Sequence, residues 1–243
     1  MLYGDHVPPL GQWLTSFALP SLVSIGATYV VLRLVEGKRL GDSCEPAVEQ
    51  PALSPGGNTA LGGIILTAVA LTIVSALDMP LGLPTLVMGA LTTAAALWRS
   101  KGKLWPLIKE ISWAVLPLVA GLFVLVEAVN ATGLATNLAD VLKHGAASSV
   151  ATAGAVAGSA LALVCNLMNN LPAGLIASTA ITQAHPPKPV IDAILIGVDL
   201  GPNLSITGSL ATILWLTAIR REGEQVGFWR FFKVGALVMP PAC

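Results

Sequence analysis

Forty consecutive residues, Gly145 to Ala184, carry no charged side chain. A helix that crosses a bilayer uses about 20 mostly apolar residues, so this run is too long for one span and too apolar for a water-facing surface. It is not isolated. Leu14–Leu32, Leu61–Leu77, Met79–Trp98, Ile111–Val126 and the stretch from Val190 to Ile219 are further apolar segments. Only 11% of the 243 residues are charged, against about 25% in soluble domains. A large soluble enzyme is thereby excluded, and an all-α polytopic membrane protein is expected. Thirteen basic and thirteen acidic residues cancel, and two tyrosines with five phenylalanines offer little for base stacking. No nucleic-acid partner is expected. Cys44, Cys165 and Cys243 are scattered, without metal-ligand spacing, and no catalytic dyad stands out. Neither a cofactor, a metal site nor an enzymatic activity is expected.

Basic residues indicate how such a chain lies in the membrane. Arg33, Lys38 and Arg39 follow the first span; Arg99, Lys101, Lys103 and Lys109 follow the third; Arg220, Arg221, Arg230 and Lys233 follow Ile219. Alternating spans put all eleven on one side, opposite Lys143 and Lys188. That side is predicted to be cytoplasmic, in a bacterial-type inner membrane. Gln50–Asn58 reads as a Pro/Gly-rich linker.

Two segments place polar groups at membrane depth, where each must find a partner or line a cavity. In the long run, Asn166, Asn169 and Asn170 share one helical face, and Pro172 stops continuation of the preceding turn. Two apolar arms around this tip predict a re-entrant hairpin, or else two ordinary spans joined by a tight turn. The second segment runs from Asp199 to Ser209. Gly201, Pro202 and Gly208 break its helix, while Asn203, Ser205, Thr207 and Ser209 supply hydrogen-bonding groups. That pattern predicts a discontinuous helix coordinating an ion or substrate, or a kinked helix re-satisfying its own backbone. A carboxylate such as Asp199 within a membrane faces a cavity or a partner. Asp78, Glu127 and Asp192 border the spans; Asp78 reads as an interfacial turn residue. Gly154-xxx-Gly158 predicts close helix packing, and Cys165 reads as a small buried hydrophobe.

The segments LMNNLPAGLIAS (Leu167–Ser178) and IGVDLGPNLSITGSLATILWL (Ile196–Leu216) resemble the two carboxyl-half signatures of arsenite efflux pumps. These belong to the ion transporter superfamily, with NhaD-type sodium/proton antiporters and citrate or dicarboxylate carriers. The sequence departs from the family pattern at Ala173-Gly174 and at Ser205-Ile206-Thr207.

The resemblance implies an inverted-repeat transporter, each repeat giving one hairpin and one broken helix to a central site. On that reading 1–35 hold an amino-terminal segment and the first span, and 36–60 a cytoplasmic linker. Residues 61–243 form the carboxyl-terminal transport half: a hairpin over about 146–184, a broken helix over about 190–219 and a truncated last helix. The implied activity is efflux of arsenite or antimonite, coupled to protons through Asp199. Neutral As(OH)3 suits the amides and hydroxyls of Asn166, Asn169, Asn170, Asn203, Ser205, Thr207 and Ser209. The alternatives are a sodium- or proton-coupled carboxylate carrier and a non-transporting subunit or remnant. Implied partners are membrane lipid, the metalloid and protons, with an amino-terminal half, a second copy or a soluble arsenite-stimulated ATPase.

Overall fold

A computed structural model describes residues 10–42, 53–77, 79–111, 113, 115–221 and 223–243, and among them it is helical without strands. Asp78 and residues 50–52 of the expected linker lie outside this set. The helices are α1 (Leu10–Asp42), α2 (Pro55–Ala76), α3 (Gly82–Ser100), α4 (Leu104–Glu110), α5 (Val115–Ala131) and α6 (Leu134–Ser148). They continue with α7 (Val150–Met168), α8 (Asn170–Ala184), α9 (Lys188–Leu200), α10 (Leu210–Arg221) and α11 (Phe228–Ala242). A 3-10 turn, Gly201–Leu204, follows α9.

Helices α1, α2 and α7 are each long and apolar enough to cross a membrane. Helices α5 and α6 reach that standard as a pair, bent by 67° at Thr132-Gly133. The chain is thus an all-α multi-pass membrane protein. Several boundaries differ from those expected. α1 continues nine residues beyond Arg33, so the first basic residues lie on a helix rather than in a loop. α3 is 19 residues long yet is not among the helices apolar enough to span alone, since Thr92, Thr93, Arg99 and Ser100 dilute it. The Pro/Gly-rich stretch ends as a helix start: Ser54 Oγ accepts the Gly57 amide at 3.1 Å and Pro55 takes the first helical position.

The chain forms two compact units. In one, α2 and α3 run antiparallel. A Cβ added at Gly56 would meet Ser100 Cβ at 2.8 Å, and one added at Gly63 would meet Thr92 Cβ at 2.8 Å. The other unit contains α1 from Thr15 onward and everything from Leu116. Its core gathers Cys165 of α7, Ala173, Ala177 and Ile181 of α8, and Val190, Ile194 and Val198 of α9, with Ala139 and Leu142 of α6. Cys165 is the small buried hydrophobe expected. The fourth span, expected to extend past Glu127, does so as α5 to Ala131, whereas the sequence reading gives no helix over Leu134–Ser148, where α6 lies. Ala135, Ala139 and Leu142 form its buried stripe. It also takes Gly145–Ser148, so the next helix, α7, starts at Val150, where Ser149 Oγ caps the Thr152 amide at 3.3 Å.

The tightest helix pair is α7 with α9, and small residues permit it. A Cβ on Gly158 would lie 2.6 Å from the Ala193 carbonyl oxygen, and one on Gly154 3.4 Å from Ala193 Cβ. Gly197 approaches the Gly158 carbonyl, and Gly201 the Ala162 backbone, closer still. The expected packing role of Gly154-xxx-Gly158 is therefore observed. Residues 154, 158 and 162 meet 193, 197 and 201 in ascending order, so the two helices run parallel. Four-residue steps on both carry this register to Asn166 and Ser205.

Candidate functional site: two helix breaks that cap each other

A helix leaves its last four carbonyls and first four amides without intrahelical partners. Two breaks inside apolar segments therefore leave many groups to satisfy where water is scarce. Here the breaks serve one another. α7 ends at Met168 and α8 begins at Asn170, with Asn169 between them at φ +78°. α9 ends at Leu200, and after the 3-10 turn residues 205–209 lead into α10.

Asn166 joins the two. Its Nδ2 donates to the Ala162 carbonyl one turn back and to the Gly201 carbonyl across the interface, both at 2.8 Å. Its Oδ1 accepts the Ser205 amide at 2.8 Å. Both amide hydrogens and one acceptor site of the oxygen are thereby used on the protein. The Asn166 carbonyl, one of the orphans at the end of α7, accepts the Ser205 hydroxyl at 3.0 Å and the Thr207 hydroxyl at 3.1 Å. The Asn170 amide donates to the Gly208 carbonyl at 2.8 Å, and Asn169 Nδ2 to the Thr207 carbonyl at 3.1 Å. Asn169 Oδ1 takes the Leu171 amide at 3.2 Å, capping α8. Ser209 Oγ takes the Ala211 amide at 3.1 Å, capping α10.

Glycine is required at Gly208. An added Cβ would sit 2.8 Å from Asn166 Oδ1 and 2.7 Å from the Pro202 carbonyl oxygen. Pro172 and Pro202 are both buried, in the first turn of α8 and in the 3-10 turn.

The eight polar candidates thus fall into two groups. Asn166, Asn169, Ser205 and Thr207 hold the breaks together and Ser209 caps α10 locally; Asn166, Asn169 and Ser205 are buried. The Asn170 side chain is half-buried, while Asp199 and Asn203 are exposed. Among the described residues no hydrogen bond or ion pair engages these three side chains. Asp199 follows the buried Val190, Ile194, Gly197 and Val198 in the last turn of α9. The Ala162 and Gly201 carbonyls went unnoticed in the sequence. Their signal is the four-residue series Gly154, Gly158, Ala162, Asn166, which carries one face of α7 from glycine to amide.

Both breaks lie within residues 95–243, the region matched by the family model described as arsenical pump membrane protein. The chain belongs to this family. Membership agrees with the resemblance of the two signature segments. Among its relatives, the arsenical pump membrane protein of Escherichia coli is 27% identical over 173 residues, covering 67% of this chain and 40% of the pump. That of Yersinia enterocolitica is 26% identical over the same shares. An uncharacterized transporter of Mycobacterium tuberculosis is 29% identical over 158 residues, or 62% of this chain and 35% of the transporter. The chain therefore spans about 40% of the length of the first two pumps. No solved structure matches it.

Proposed function

We propose that the clasped breaks form part of a path by which arsenite or antimonite leaves the cytoplasm across the bacterial inner membrane, in exchange for protons carried on Asp199. The observation that carries this reading is the hydrogen-bonded joining of two helix breaks inside apolar segments, with an amide (Asn170) and a carboxylate (Asp199) left unengaged beside them. Neutral As(OH)3 is matched by amides and hydroxyls. A carboxylate substrate would instead call on cations or free helix amino ends. The breaks hold no lysine or arginine, and at both α8 and α10 an amino-terminal amide is already taken by a side-chain oxygen.

In this reading α7 and α8 form a re-entrant hairpin. α8 has 15 residues, about 22 Å of helix, short of the roughly 30 Å hydrocarbon core. α9 and α10, 13 and 12 residues, make one crossing between them, and an inverted second repeat completes the site. The test uses a complete transporter carrying these segments, in cells without another arsenite exporter. Asn170→Ala and Asp199→Asn should each lower efflux from loaded cells about tenfold or more at unchanged expression, since an interaction lost from the transport barrier at 1.36 kcal/mol is tenfold in rate. Asp199→Asn should also flatten the dependence on external pH. Parental rates and pH profile in Asp199→Asn would remove it from coupling.

The basic residues are proposed to face the cytoplasm. In a cysteine-free chain, single cysteines at Gly102 and Gly223 should label only from the cytoplasmic side, and one at Pro187 only from outside. Reaction of the Gly102 cysteine with an impermeant external reagent would invert the assignment.

A further inference from the structure

We propose that the junction of α10 and α11 is a binding surface for anionic phospholipid headgroups, formed by Arg220, Arg221, Arg230 and Lys233 with the exposed rings of Phe228 and Trp229. The inference rests on the membrane reading of the chain, and not on its substrate. All four cations are exposed, and none has an ion-pair partner among the described residues. Glu224, in the connecting segment, makes no ion pair with them.

Arg220 and Arg221 sit in the last turn of α10, where a cation is favoured by the helix dipole. Arg230 and Lys233 have no such internal reason. They occupy the first two turns of α11, the positive end of its dipole, with no acidic residue in the first turn. An external anion would relieve that disposition.

The two cation pairs flank the segment joining α10 to α11, and the two helices meet there through Trp215 of α10 and Phe231 of α11, whose ring centroids are 6.4 Å apart. Arg220 follows five residues after Trp215, about 7.5 Å along the axis. The inner face of α11 is fixed. Gly235, Val238, Met239 and Ala242 are buried, and a Cβ on Gly235 would strike the Asn203 carbonyl. The outer face therefore presents Trp229 (70% exposed), Arg230 and Lys233, followed one turn later by Leu237 (55% exposed). Phe228 stacks on Phe232 at 5.9 Å and meets Trp229 edge-on at 5.4 Å, so the rings form one group at the start of the helix that carries Arg230 and Lys233. Rings and cations at one level with an exposed leucine beyond them match the order of headgroup and acyl chain in a bilayer. Four cations against Glu222 and Glu224 leave residues 220–233 with a net charge of +2, which complements the net negative charge of an anionic headgroup and finds no net charge to match in a zwitterionic one.

The test places a fluorophore on a single cysteine at Gln225 of the full, otherwise cysteine-free chain, reconstituted in phosphatidylcholine vesicles. Quenching by spin-labelled phosphatidylglycerol is compared with quenching by spin-labelled phosphatidylcholine. A preference of about fivefold or more is expected, the value of one surface cation. It should fall to about one when Arg220→Gln, Arg221→Gln, Arg230→Gln and Lys233→Gln are combined. It should survive Arg220→Lys, Arg221→Lys and Arg230→Lys combined, which separates lost charge from lost fold. Equal quenching by the two lipids in the parent would overturn the proposal and leave the cations for a soluble acidic partner. Unchanged selectivity in the glutamine variant would also overturn it. So would displacement of the lipid by millimolar inorganic phosphate at constant ionic strength, which would indicate a free-phosphate site.

Discussion

Asn166→Ala is expected to lower the thermal stability of the chain more than any other polar-to-alanine change at the two breaks. The substitution removes both donors and the acceptor of one amide group. The Gly201 carbonyl and the Ser205 amide lose their side-chain partner, and both residues are buried. A buried polar group left unpaired costs about 1–3 kcal/mol, so two give a loss of several kcal/mol, a large part of a typical folding free energy of roughly 5–15 kcal/mol. Ser205→Ala should cost less. The Asn166 carbonyl that its hydroxyl serves also accepts the Thr207 hydroxyl, so one donor remains. Asn203→Ala should leave stability within about 0.5 kcal/mol, because that side chain is exposed and unengaged. Thermal unfolding in detergent, followed by circular dichroism, reads all three. An Asn166→Ala midpoint equal to that of the parent would show that the amide does not clasp the breaks. A variant in which stability holds while efflux by a complete transporter falls would identify the altered side chain as a substrate group, and Asn170 and Asn203 are the residues expected to behave so.

This division between clasp and free groups was not legible in the sequence, although the breaks were. Proline, glycine and asparagine announce a helix interruption locally, which is why Asn169–Pro172 and Gly201–Gly208 could be found without coordinates. The partner of each polar group is a different matter. Asn166 bonds Gly201 at a separation of 35 residues and Thr207 at 41, and no local rule pairs residues so far apart. Asn, Ser and Thr at membrane depth are equally compatible with a substrate site and with mutual capping. The parallel register of α7 and α9 decides, by setting Asn166 opposite Ser205.

Helix α6 is the opposite case, since its signal is local and present in the sequence. Asn137, Asp140, Lys143 and His144 make Leu134–Ser148 look like an aqueous loop, yet Ala135, Ala139 and Leu142 repeat at helical spacing and are the residues that become buried. A search for long apolar runs passes over a helix of that kind.

Gly197→Ala is the second change expected to have a large effect, and it tests the register directly. The methyl carbon would lie against the Gly158 backbone, 2.9 Å from its carbonyl carbon and 3.1 Å from its Cα, and closer to its oxygen. None of these atoms belongs to a flexible side chain that could turn away, so α9 must separate from α7. Overpacking of this kind costs about 1–3 kcal/mol. The damage should extend beyond the contact. Gly201 follows four residues after Gly197 and crosses the Ala162 backbone at similarly short range, and the Asn166–Gly201 and Asn166–Ser205 bonds of 2.8 Å lie just beyond it. A helix displaced at Gly197 cannot keep bonds of that length at both ends of the clasp. Gly197→Ala should therefore lower the unfolding midpoint and, in a complete transporter, abolish efflux, although it adds one methyl group away from both breaks. Gly26→Ala and Gly62→Ala are the controls. Both are helical with nothing within 4 Å of an added Cβ, so alanine should be neutral or stabilise by up to about 1 kcal/mol through helix propensity. If Gly197→Ala unfolded at the parental temperature, α7 and α9 could not be packed backbone to backbone. The alignment that brings Asn166 to Ser205 would then have to come from some other pair of helices.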